Sequence, residues 1–206
     1  MDSNKKLKII GEGEWLYYAY SAAIEYNRWN TIELFDIIKI NEYSYDLSGF
    51  NIPEENVDYF LAIDGSIFGT VREKHLSILV SKGFNFISIM PSHMSSIMKN
   101  MNCLIASFVN INNFNFRIQF NTFIGPYCNL PSSFSTGRSV TIGPYTDIQP
   151  GVSIGKNVTL IGVKKISSNI SIGEYTKVDN IEIINKVIKP LTSHTHLFPR
   201  SVNIKN

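Results

Sequence analysis

The chain has 206 residues, of which 44% are hydrophobic and 17% charged, with a formal net charge of +2. That length supports a large core, and a near-neutral balance with lysines scattered along the chain leaves no basic stripe for nucleic acid. Cys103 and Cys128 make no disulfide framework, no segment approaches the ~20 apolar residues that span a bilayer, and Met1 to Lys8 is too polar and basic for a signal peptide, so a cytoplasmic protein away from membranes is expected.

Lys6 to Ile10 reads as a strand, Gly11-Glu12-Gly13 as a tight turn, and Glu14 to Tyr26 as a helix with an apolar stripe. Thr31 to Phe35 is a second strand ending at Asp36, and Val57 to Ile63 a third running into Asp64 and Gly65. Arg72 to Lys82 has the pattern of an amphipathic helix closed by Gly83, and Asn85 to Met90 that of a last strand before Pro91. Strands alternating with helices predict a small, Rossmann-like parallel α/β sheet over residues 1–92. A glycine turn between a first strand and a helix is where such sheets hold phosphates, because backbone N–H groups and the helix dipole point at the ligand. Here Leu16 stands where a third glycine would, and Glu12 and Glu14 bring negative charge, so a plain strand-to-helix turn is an equal reading. Asp36 can accept from a ribose hydroxyl or a uracil edge, or simply close its strand in solvent.

The period then changes to six. Ile118, Ile124, Leu130, Ile142, Ile148, Ile154, Leu160, Ile166, Ile172, Val178 and Ile184 recur at that spacing, with Thr136 as the exception, and a glycine follows several of them. The residue four places on is usually small, β-branched or apolar, as in Thr122, Cys128, Val140 and Val152. Each hexad supplies one strand and one corner, so three hexads close a triangular coil and the coils stack like on like. Residues 93–189 are therefore expected to form a left-handed parallel β-helix, starting irregularly between Ile97 and Arg117 with Asn112 in an inward slot, and residues 190–206 a C-terminal tail. Ile-Gly-Pro-Tyr occurs at Ile124 to Tyr127 and again at Ile142 to Tyr145, one coil apart, so the tyrosines stack outside the prism as a structural ladder, a subunit contact or a ligand platform. Lys164 falls on an inward position where a charge is costly to bury, so Leu160 to Lys165 is expected to bulge outward.

The opening strand with Gly11-x-Gly13, Ala62-Ile63-Asp64 followed by Arg72-Glu73-Lys74, Gly83-Phe84 leading to Pro91-Ser92, and the hexads together resemble the bacterial sugar acyltransferases that join a nucleotide-sugar-binding α/β domain to a left-handed β-helix. These include the sialic acid O-acetyltransferases and the nucleotide-amino-sugar N-acetyltransferases. The resemblance implies a homotrimer, acetyl-CoA bound in the groove between neighbouring β-helices, and no metal. It also implies acceptor contacts from Gly11, Gly13, Asp36, Asp64 and Arg72, and coenzyme contacts from Gly151, Gly162, Lys164 and Lys165, the two lysines set by the bulge for a coenzyme A phosphate or merely for solvent.

The family's general base is a histidine, and alignment on Asn121 to Ile124 puts it at Ser132. No histidine occurs between Ile118 and Lys189. Substitutes are Asp147, Ser132 with Ser135 as a relay, or His194 and His196 folding back from the tail. Each has a structural alternative, as corner residue, turn former or tail. The family's glycine on the acetyl-CoA wall falls on Pro150, which has no N–H to give a thioester oxygen, so Gly151 would have to serve. A neutral amine attacks a thioester without a strong base far better than a hydroxyl does, so the missing histidine points to N-acylation of a nucleotide-linked amino sugar in surface-polysaccharide or glycan biosynthesis. The alternative is a catalytically silent relative that binds a nucleotide sugar or scaffolds a trimer. A γ-type carbonic anhydrase is excluded, because its zinc needs three histidines the coils lack.

Overall fold

The computed structural model describes residues 5–63, 69–94, 101–111, 116–195 and 198–203, the last stretch by its backbone. In chain order the first part contains β1 (Lys6–Gly11), α1 (Gly13–Tyr26), β2 (Thr31–Asp36), β3 (Lys39–Asn41), β4 (Ser44–Tyr45), β5 (Val57–Ala62) and α2 (Thr70–Ser81). The core of this part is a parallel sheet in the order β2-β1-β5, while β3 and β4 form a small antiparallel hairpin. Helix α1 buries Trp15, Leu16, Ala19, Ala22 and Ala23, the i, i+1, i+4, i+7, i+8 stripe of an amphipathic helix, and packs them with Leu7, Ile9 and Phe60 on one sheet face. On the other face Ile10, Leu61 and Ile63 meet Val71, Leu76 and Leu79 of α2, as the period-two alternation of the strands requires.

Residues 85–90 do not form the expected fourth strand. Asn85 O and Ile87 N bond Tyr59 of β5, but Ile89 turns to Cys103 O and Ile105 N on the first coil of the repeat. The segment is shared between two sheets, so its buried apolar side chains serve a domain junction, which hydrophobicity alone does not distinguish from a strand.

The repeat forms the expected left-handed β-helix. Its first face stacks β6 (Leu104–Ile105), β8 (Phe123–Ile124), β11 (Thr141–Ile142), β14 (Thr159–Ile161), β17 (Lys177–Asp179), β19 (Thr192–Thr195) and β20 (Phe198–Asn203); all pairings are parallel except β19 with β20. The second face stacks β7 (Asn110–Ile111), β9 (Asn129–Leu130), β12 (Asp147–Ile148), β15 (Lys165–Ile166) and β18 (Ile183–Ile184), and the third β10 (Phe134–Thr136), β13 (Val152–Ile154) and β16 (Ser171–Ile172). All twelve sixth-position residues from Ile118 to Ile184 are buried, Thr136 included. Lys164 points outward as expected: Val163 fills the core in its place, and the Lys164 ammonium lies 2.6 Å from Glu182. Beyond Lys189 the chain is not a tail set apart, since β19 continues the first face with His194 opposite Val178. Asn112 lies outside the described residues. No helix among the described residues is long and apolar enough to cross a membrane.

Arg72 joins the two parts. It is fully buried, and its guanidinium donates to Asn121 Oδ1 at 3.0 Å, Asn121 O at 2.7 Å and Thr141 Oγ1 at 3.1 Å, with the group 3.7 Å from the Phe123 ring centroid. The Asn121 side chain passes the network on, accepting from Asn102 and donating to Ser139, whose hydroxyl donates to Glu73. Arg72 therefore clamps α2 to the first face of the prism, whereas the family resemblance implies an acceptor contact for it.

Candidate active site at the domain junction

Ligands of parallel α/β sheets bind beyond the carboxyl ends of the strands. That end is occupied here by Gly11, Asp36 and Ala62, which the register places side by side. Gly11 is needed for packing: a Cβ there would lie 2.1 Å from the Ala62 carbonyl oxygen, to which Glu12 N donates at 3.2 Å. Gly13 has φ +56, a conformation that glycine adopts without strain, and opens α1, which has no side-chain cap on its first turn. Among the described residues no side chain caps its first N–H groups, which can therefore face a ligand or water. Asp36 is exposed at the strand end, and Asp64 lies outside the described residues.

Against this end stands the first face of the β-helix, and between them lies a cavity of about 480 Å³ lined by Glu12, Gly13, Glu14, Trp15, Ile161, Lys177 and Asp179. A larger cavity of about 670 Å³, beside Lys5, Val57 and Asp58, opens at the amino ends of β1 and β5, the wrong end of a parallel sheet for ligand binding. In the junction cavity the Glu12 carboxylate accepts from the Tyr45 hydroxyl, and Glu14 from the Tyr18 hydroxyl at 3.3 Å. Partial burial and then Glu14 push the Tyr18 phenol pKa upward, so it stays a donor. The cavity offers a helix N-terminus and a lysine to an anionic group, and three carboxylates to a cationic or proton-losing one. Lys177 and Asp179 flank the inward Val178, and such charged outward positions are visible in sequence. Which of three faces meets the sheet is not, so neither residue stood out there.

The substitute bases are scattered. His194 sits inside the last coil with Nε2 buried and unpartnered among the described residues, and burial, followed by nearby Lys186, lowers its pKa. It cannot reach the junction cavity from there. The side chain of His196 lies outside the described residues. Asp147 faces outward on the second face, where it accepts from Asn129 at 2.8 Å and Gln149 at 2.7 Å. Ser132 and Gly151 lie at the corner between the second and third faces, away from the cavity. The Gly151 N–H already donates to Ser133 O at 2.7 Å, so it is not presented to an oxyanion. Lys165 is exposed on β15, beside Asp147 in register. Burial pushes the Cys103 thiol up to about 11 and the Cys128 thiol up to about 12, which rules both out as nucleophiles.

Gly162 belongs to a corner of the prism that runs past the cavity. Phe108, Tyr127 and Tyr145 stand three residues after the register-matched Ile105, Ile124 and Ile142, whereas Gly162 and Asn180 stand two residues after Leu160 and Val178, where the corner is one residue shorter; all five have φ between +54 and +66. Phe108, Tyr127 and Tyr145 stack at 5.0 Å spacing and are 65%, 49% and 66% exposed. An aromatic residue in this left-handed region costs ~1–3 kcal/mol, whereas a ring pair contributes only ~0.5–1.5 kcal/mol beyond burial. Two stacked contacts do not offset three such conformations, so the ladder is not explained by stability.

No protein-family model and no curated protein matches the chain. Among solved structures, PerB from Caulobacter crescentus in complex with CoA and GDP-perosamine is similar over 96% of this chain and 97% of its own, with a TM-score of 0.73 at 15% identity. The acetyltransferase domain of PglB from Neisseria gonorrhoeae matches over 97% and 100%, with a TM-score of 0.61 at 13% identity. A Caulobacter crescentus perosamine N-acetyltransferase variant, one histidine replaced by asparagine, in complex with the same two ligands, matches over 96% of each chain with a TM-score of 0.57 at 14% identity. The chain thus has the two-part fold of these proteins, an α/β sheet domain joined to a left-handed β-helix.

Proposed function

We propose that the protein is an N-acyltransferase that moves the acetyl group of acetyl-CoA onto the amine of a nucleotide-linked amino sugar, acting as a homotrimer in surface-polysaccharide or glycan biosynthesis. The observation that carries this reading is the junction cavity, which joins the carboxyl end of a parallel sheet to one face of a β-helix and lines the space with groups of both charges. The nucleotide's phosphates fit the uncapped start of α1 and Lys177, and the sugar amine fits the carboxylates of Glu14 and Asp179. Those carboxylates hold the amine and accept a proton as it attacks the thioester carbon; the C–N bond forms, the C–S bond breaks, and the carboxylic acid passes that proton to the departing thiolate, so coenzyme A leaves as thiol. The fold's likeness to proteins crystallised with CoA and GDP-perosamine supports the ligand pair. One of those crystals retained both ligands after a histidine was replaced, which fits a scaffold that binds without that side chain.

The test is direct: the full chain is incubated with acetyl-CoA and a panel of uridine-, guanosine- and thymidine-diphosphate amino sugars, with thiol release and product mass as readouts. Turnover should rise with pH as the substrate ammonium is deprotonated, and Glu14→Gln or Asp179→Asn should lower kcat by roughly 10²–10⁴-fold if that carboxylate takes the proton. Nucleotide-sugar binding with no turnover under any condition would reject the enzyme and leave a binding or scaffolding relative.

A further inference from the structure

The ladder at the cavity's corner ends where a fourth ring would stand. The middle ring, Tyr127, is covered on both faces and is the least exposed of the three, while Phe108 and Tyr145 each stack on one ring only among the described residues. In the next coil the residue in register with Tyr145 is Val163, which turns into the core, and Gly162 before it has no side chain, so no ring continues the stack. Ile161, the neighbour of Gly162, lines the junction cavity together with Glu14. Gly143, two residues before Tyr145, lies so close to Ile161 and Gly162 that a Cβ on it would be 3.3 Å from Ile161 Cα and 3.6 Å from Gly162 N. The Tyr145 ring thus stands on the corner one coil from Ile161, beside the cavity though not in its lining.

We infer that Tyr145 is the platform on which a nucleobase stacks, its ring occupying the rung that Gly162 and Val163 leave empty. Every base has a π-face, and stacking on an exposed aromatic side chain is indifferent to base identity. The other corners hold this conformation with Asn121, Ser139, Asn157, Asn169, Tyr175 or Leu191, whereas this one carries three stacked, exposed aromatic residues in it, which a base platform explains. The inference rests on the proposed function only in taking nucleotides as the ligands. The base can belong to the acceptor's nucleoside diphosphate or to the adenosine of coenzyme A.

Calorimetric titration of the full chain with GDP, UDP, adenosine 3′,5′-bisphosphate and ribose 5-phosphate tests it. Tyr145→Ala should weaken a base-bearing ligand by roughly 5- to 100-fold and leave ribose 5-phosphate unchanged, while Tyr145→Phe should bind like wild type. A loss confined to GDP and UDP assigns the acceptor's base, and a loss confined to the bisphosphate assigns the coenzyme's. Tyr145→Asn should lose the same binding with an unchanged or higher melting temperature, because asparagine accepts the left-handed conformation better than tyrosine. Unchanged nucleotide affinity in Tyr145→Ala, equal losses for ribose 5-phosphate, or no nucleotide binding by wild type would overturn the inference. Acyl transfer by wild type, measured separately, decides the proposed function on its own.

Discussion

Replacing Arg72 by alanine would remove the clamp between the two parts of the molecule. Its donors to Asn121 O at 2.7 Å and Thr141 Oγ1 at 3.1 Å are charge-assisted and fully buried. Such bonds contribute ~1.5–3 kcal/mol each, and a buried acceptor left unsatisfied costs ~1–3 kcal/mol. The Asn121 side-chain oxygen keeps the amide of Asn102, but its carbonyl oxygen loses the 2.7 Å donor. Together with the lost contact to Phe123, a destabilisation of about 4 kcal/mol is expected, a large part of the ~5–15 kcal/mol that holds a typical fold. With a urea m-value of ~2–3 kcal/mol/M, the unfolding midpoint should fall by roughly 1.3–2 M. Trp15 is a suitable reporter because its ring lies 5.5 Å from that of Phe123 across the junction. Arg72→Lys keeps the charge but not the planar fork and should fall between alanine and wild type. A midpoint within about 0.3 M of wild type in Arg72→Ala, with nucleotide affinity lost, would return Arg72 to the role of an acceptor contact.

Ile142→Asp or Ile154→Asp should abolish folding, since each places an unpartnered charge inside an aliphatic column, and Ile→Ala at either site should cost about 2–5 kcal/mol by calorimetry. Soluble, cooperatively folded aspartate variants would show the register to be wrong. His194 makes the fold acid-sensitive. Burial holds its folded pKa below the ordinary value of 6.5, so its contribution is intact above that pH and is lost as protons bind the unfolded chain below it. His194→Leu should raise stability by ~1 kcal/mol by removing a buried nitrogen that has no partner among the described residues and should flatten the fall in melting temperature below about pH 6.5, with acyl transfer retained. An unchanged acid slope would place the titration elsewhere.

The hexads were legible because their signal is local and redundant: Ile124, Ile142 and Leu160 each occupy one inward slot, and the same rule repeats in every coil. Asn85 to Met90 misled because burial by a sheet and burial by a domain junction select the same apolar residues. Arg72 is given as an acceptor contact by family resemblance, and its bonds to Asn121 and Thr141 were not legible because those partners are distant in sequence.

The sequence by itself determined the architecture of the prism, the outward bulge at Lys164, the stack of Tyr127 on Tyr145 and the absence of a histidine between Ile118 and Lys189, all of which follow from residue type at fixed spacing. Only the tertiary structure decided which face of the prism the sheet domain covers, and hence that Glu14, Lys177 and Asp179 share a cavity while Ser132 and Gly151 do not. It alone sealed His194 into the last coil. A six-residue period places each side chain in or out, but the three faces are equivalent to it, and the choice among them is made by contacts such as those of Phe123 with Trp15 and Phe60, from chain segments far apart in sequence.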